Sequence, residues 1–156
     1  MQPTLRLLLL FLLAFWLGTS VFFSFLAAPE LFHLAELQVI TRDQAGNVAA
    51  ALLKQYFLTG AIVLAGTALL SALLAFGTGQ PRFRKAATIL LVALVIALFD
   101  GYVWGPKVHQ IREERRAHPS LNLDKKFGKA HAFSFGLNFL VIVGTSLAFG
   151  MVVRQE

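Results

Sequence analysis

Asp100 stands inside the apolar run LFDGYVWGP. An ionised carboxylate at the centre of a membrane-buried helix costs about 2.5–3.5 kcal/mol, less towards the border, so it normally faces the interior and has a partner or a proton. Partners of suitable chemistry recur later in the chain: His131, Ser134 and Asn138 are separated by three and four residues, which puts them on one helical face. A carboxylate meeting an imidazole or an amide can bind a proton, an ion or a small polar ligand. It can equally clamp two helices in register, since interhelical polar bonds contribute about 0.6 kcal/mol each. Tyr56, Tyr102 and Trp104 add a hydroxyl or an indole at the same end of the chain's apolar segments.

A metal or haem would draw on the histidines. His131 is the best placed of the four and His33 a second, whereas His109 and His118 fall in a charged stretch. Bis-histidine haem needs two inward rings at matching depth. The chain has no cysteine, which removes disulfides, thiolate metal sites and thiol redox chemistry. Only two methionines are present, so a sulfur-lined path for a soft metal is excluded as well. Serine-hydrolase, phosphate-loop and zinc-hydrolase signatures are missing.

The elements that position these residues follow from composition. A mean hydropathy of +0.69 with 14% charged residues over 156 residues is that of a membrane protein. Four segments, residues 7–28, 49–76, 86–105 and 130–153, are apolar over the roughly 20 residues that a hydrocarbon core of about 30 Å demands. The first follows Arg6 as a secretory leader would, but its apolar run is too long and no clean cleavage site precedes Pro29, which predicts an uncleaved helix. Backbone amides in lipid need internal partners, so the fold class is all-α: a four-helix transmembrane bundle, up-down-up-down, forming one integral membrane domain over residues 1–156.

The connections differ in kind. TGQPRFRK between the second and third spans is a short basic turn. Those between spans one and two and between three and four run to about 20 residues, long enough for short interfacial helices. Leu31, Leu34 and Leu37 give the first an amphipathic spacing, and Thr41 or Asp43 can cap the second span. The other connection prolongs the third helix as far as Pro119. In this order the ends that face the two long connections share one side, and Asp100 lies roughly 7 Å inside it at 1.5 Å per residue. Gly60, Gly66, Gly136, Gly144 and Ala148 allow close backbone approach, while Trp16, Trp104 and the tyrosines suit border anchors.

The net charge of +6 sits on residues flanking the spans, which points to the lipid bilayer and its anionic headgroups and not to nucleic acid. The Lys/Arg count and the flanks of the first helix point to opposite orientations.

The blocks WLGTSVFFSFLAAPELF, RDQAGNVAAALLKQYF, DGYVWGPKVHQIRE and FGKAHAFSFGLNFLVIVG resemble, in this order, the transmembrane protein 205-like family of four-helix membrane proteins. The resemblance falls on Pro29, Phe32, Gln44, Ala45, Gly46, Tyr56, Pro106, His131, Ser134 and Asn138, with Asp100 and Tyr102 where the family's third helix is polar. It implies a transport or trafficking role without a mechanism. WLG is more distantly similar to the copper-resistance D family, which implies copper or haem.

Three functions therefore stand open. The first is a non-enzymatic, multi-pass protein of the cell (inner) membrane, if bacterial, that binds or passes a small ligand or ion through Asp100, His131, Asn138, Ser134, Tyr102 and Tyr56. The second is a haem- or metal-binding oxidoreductase with His131 and His33 as ligands. The third is a scaffold that forms a homo-oligomer through its small-residue faces.

Overall fold

The computed structural model describes residues 2–154. They form four helices, α1 (Gln2–Glu36), α2 (Arg42–Thr78), α3 (Pro81–Ala117) and α4 (Leu121–Val153), each long and apolar enough to cross a membrane. There is no strand among the described residues. Each helix packs against its two neighbours in chain order, and α1 closes the ring on α4.

Contacts at the two ends fix the up-and-down topology. At the end with the basic turn, Gln2 donates to Gly77 O at 2.7 Å, and Arg6 donates to Val152 O and Val153 O at 2.9 Å each. Arg82 there donates to Arg154 O. At the other end, Arg112 donates to Gly46 O and to Asn47 Oδ1 at 2.9 Å each, and Arg116 pairs with Asp43 at 2.9 Å. The protein is an integral membrane protein.

The helices expected in the two long connections are present, and they are continuous with the spans. α1 runs through Pro29 to Glu36 and α3 runs through Pro106 to Ala117, leaving only residues 37–41 and 118–120 as links. Proline lacks an amide proton, and its ring collides with the carbonyl four residues earlier. In both helices a wider π segment lies just ahead of the proline, Phe23–Ala27 in α1 and Phe99–Trp104 in α3, and so accommodates the ring without ending the helix. The second span starts earlier than its apolar residues suggest: Thr41 accepts from Gln44 N at 3.1 Å and Gln44 Oε1 accepts from Thr41 N at 2.8 Å, a reciprocal cap.

At 37 residues, α3 is about 55 Å long, so it overshoots a hydrocarbon core of about 30 Å by more than 20 Å. With Lys85 at one border, the other falls some 30 Å along, near Gly105, and the remainder of α3 stands beyond the membrane. This extension is packed, not free: Arg115 pairs with Asp124 at 3.7 Å and Lys126 with Glu114 at 3.5 Å, linking it to the start of α4. Exposed pairs of this kind contribute no more than about 1 kcal/mol each, and Arg112, capped onto α2, adds geometric precision.

Small residues let the bundle close at particular places. The Trp16 ring lies directly over Gly60, where a β-carbon would collide with it. Gly144 faces Ile89 at ordinary contact distance, and Ala148 is fully buried. Gly66 and Gly136 have nothing within 4 Å of a would-be β-carbon, so they do not serve the packing of this chain on itself. Trp16, expected at the border, is instead 1% exposed in the core, because Gly60 makes room for its indole.

Candidate functional site

The polar layer lies where the two π segments face each other across the bundle. Asp100 is 1% exposed and belongs to the π segment of α3. Its Oδ1 accepts a hydrogen bond from Ser134 Oγ at 2.6 Å. Its Oδ2 is enclosed and meets no donor among the described residues. Tyr56 on α2 donates to Asn138 Oδ1 at 2.6 Å, and Asn138 Nδ2 donates to Ser24 Oγ, in the π segment of α1, at 2.8 Å. Every helix therefore contributes at least one polar side chain to the layer.

The backbone around Asp100 is held by two close approaches. A β-carbon on Gly101 would lie 2.7 Å from Phe57 Cγ, and one on Gly105 would lie 2.9 Å from the Asp100 carbonyl oxygen. The latter carbonyl accepts from Gly105 N, five residues on, as a π turn requires. DGYVWG thus permits α3 to widen at the acid and to press it against α2. Tyr56 is fixed from both sides, its ring stacked on Trp16 and on Phe23 with centroids 5.0 Å away in each case.

A small cavity of about 10 Å³ lies in this layer, lined by Asp100, Asn138, Tyr56 and Trp16 together with Phe57, Gly60, Ala97 and Val141. That is the space of roughly one water molecule. Two of its lining residues carry buried groups with no hydrogen-bond partner, Asp100 Oδ2 as an acceptor and Trp16 Nε1 as a donor. Ser20, beside the Tyr56 hydroxyl, is likewise enclosed but lines no part of the cavity. Unpartnered buried polar groups cost about 1–3 kcal/mol each, more when charged, and two of them belong to residues that line this one void, although the surface the void meets is nearly all apolar.

Of the residues singled out by type and spacing, the fold brings together Asp100, Ser134, Asn138 and Tyr56. His131 is not among them. It is exposed and stacks on Phe127, 5.8 Å between ring centroids, one turn nearer the extramembrane end. The expected approach of Asp100 to His131 is blocked because Trp104 occupies that level of the α3–α4 seam, donating Nε1 to Ala130 O at 3.1 Å and packing on Phe133. The other expected contact, Asp100 to Asn138, is replaced by a shared cavity, with Ser134 taking the direct bond. Tyr102 points away and is 56% exposed. His33 is exposed beside Glu36, 3.8 Å away, and lines no part of the cavity. Among the described residues no three metal-ligating side chains of His, Cys, Asp or Glu gather.

Ser20, Ser24 and Trp16 belong to the layer without having been singled out for it. Their spacing of four and four residues along α1 is the signal that marks one inward face.

The family model for a domain of unknown function, DUF4149, matches residues 11–117. The chain belongs to this family. The DUF4149 match takes in Trp16, Ser20, Ser24, Tyr56 and Asp100 and stops short of α4, so Ser134 and Asn138 lie beyond it. The chain is also similar to an uncharacterized protein of Aquifex aeolicus (strain VF5), with 30% identity over 138 residues, covering 88% of this chain and 89% of the relative. No solved structure matches this DUF4149 chain.

Proposed function

We propose that this multi-pass membrane protein is a non-enzymatic binder of one small cationic ligand, a proton carried on water or a monovalent cation, held in the cavity at Asp100. The observation that carries the reading is the enclosed Asp100 Oδ2, which meets no donor among the described residues and belongs to a side chain that lines a water-sized void. A carboxylate there accepts positive charge at low dielectric, where an attraction is much stronger than in water. The Tyr56 and Asn138 oxygens on the same cavity supply neutral dipoles that solvate such a ligand without adding charge. The void has the space of about one water molecule, which suits binding of a single small body better than an open pore.

The resemblance to the transmembrane protein 205-like family favours the same class, transport or trafficking over catalysis. The haem or copper reading draws no support from histidines that stand exposed on different helices, away from the polar layer.

Binding to the folded form alone stabilises by RT ln(1 + [L]/Kd), about 2.7 kcal/mol at a hundredfold excess over Kd. Thermal unfolding of the purified protein, followed across Na⁺, Li⁺, K⁺ and proton concentrations, therefore tests the proposal. Stabilisation by one of these ions in the wild type and its loss in Asp100→Asn supports it; identical curves for both proteins under all conditions oppose it.

A further inference from the structure

On the lipid-facing side of α2 and α3, at the end away from Asp100, lies an open groove of about 620 Å³. Ala65, Ala68, Ala72 and Ala75 form one side of its floor, and Leu91 and Phe76 stand at its edges. Phe76 is 90% exposed. The groove runs from the level of Ala65 to Gly79 in the basic turn, 14 residues or about 21 Å, which exceeds the depth of one leaflet, about 15 Å. Its mouth is cationic. Arg84 lines it and Lys85 adjoins it, and neither makes an ion pair or a side-chain hydrogen bond among the described residues. Two other basic side chains of this rim are occupied, Arg6 on the last carbonyls of α4 and Arg82 on Gln80 and the Arg154 carbonyl. The acidic residues among the described ones all lie in the Asp100 layer or beyond it towards the opposite end.

We infer that this groove seats one acyl chain of an anionic phospholipid whose phosphate is held by Arg84 and Lys85. An apolar trough within the leaflet, ending in two uncompensated cations at headgroup level, matches a lipid tail below and a phosphate above. A second copy of the chain fits less well. A two-fold contact sets the same patch against itself, which brings Arg84 against Arg84 with no acid nearby among the described residues. The inference concerns a surface remote from the Asp100 cavity and stands apart from the ion-binding proposal.

Native mass spectrometry of the detergent-purified full chain, titrated with phosphatidylglycerol or phosphatidylcholine of matched tails, tests it. The wild type is expected to retain one phosphatidylglycerol in preference to phosphatidylcholine. In the double variant Arg84→Gln, Lys85→Gln the preference falls about fivefold per charge removed, at around 1 kcal/mol for each basic residue near an anionic surface. Ala72→Leu, which narrows the groove, lowers retention of both lipids. Equal retention of the two lipids by the wild type, or an unchanged preference in the double variant, overturns the inference. So does a wild-type dimer that Ala72→Leu dissociates, because it would show a second copy in the groove.

Discussion

Ser134 Oγ lies 2.6 Å from Asp100 Oδ1 and gives its proton to it, binding α4 to the widened turn of α3 in the middle of a hydrophobic bundle. The bond satisfies one carboxyl oxygen and leaves the other to the cavity. Ser134→Ala removes the only side-chain donor to Asp100 among the described residues and is expected to destabilise the fold by about 1 kcal/mol, within the range measured for interhelical polar bonds in membranes. Unfolding in mixed micelles of detergent and denaturant checks this, and an unchanged midpoint would show that the bond contributes nothing net.

The Trp16 ring lies over Gly60, close enough that a β-carbon there would collide with it. Gly60→Leu forces the indole out of a fully enclosed position and is expected to cost about 1–3 kcal/mol through overpacking. Trp16 emission should move towards that of an exposed indole, read with tryptophan-selective excitation in a Trp104→Phe background that leaves it as the sole tryptophan. Gly66→Leu, which meets open space, is the matched control and should leave both stability and emission unchanged.

Tyr56→Phe keeps the ring between Trp16 and Phe23 and removes only the hydroxyl that Asn138 accepts from. Asn138 keeps its bond to Ser24, so the loss should amount to about 0.6–1.7 kcal/mol, with the helical circular dichroism unaltered. If the hydroxyl also solvates the bound cation, the ion-dependent part of the stability falls as well, and thermal unfolding with and without the ion separates the two effects.

His131→Ala and His33→Ala should leave folding and ion-dependent stabilisation as in the wild type, since neither ring lines the cavity. A purified wild type that carries stoichiometric haem or copper, lost in either variant, would instead favour the redox reading. Gly136→Leu separates the scaffold reading: its side chain would enter open space, so any loss of self-association without loss of fold would mark that face as an interface.

Much of this was legible in the residues themselves. Hydropathy and length predict four spans because lipid leaves the backbone no other solution, and the acid at residue 100 with a three- and four-residue rhythm on the last helix predicts a polar contact between α3 and α4. What was not legible came from register. Pro29 read as the place where the first span ends, yet a π turn ahead of it carries the helix on. The continuation of the third helix through Pro106, which was expected, comes with a π turn that was not; Trp104 at its end sits in the seam on Ala130, with His131 outside it. Trp16 read as a border anchor because its type is common there. Only the facing Gly60, 44 positions away, makes it a core residue and the floor of the site. Such pairings between distant segments carry no local pattern.

The central claim is that the free oxygen of Asp100 meets a small cation in the enclosed layer. Infrared difference spectroscopy of the carboxyl stretch, recorded on wild type and Asp100→Asn while pH and then Na⁺ or Li⁺ are varied, tests it most directly. The account predicts a carboxyl band that responds to protons or to one of these ions in the wild type and disappears in the variant. A wild-type spectrum indistinguishable from that of Asp100→Asn throughout the titrations would contradict it.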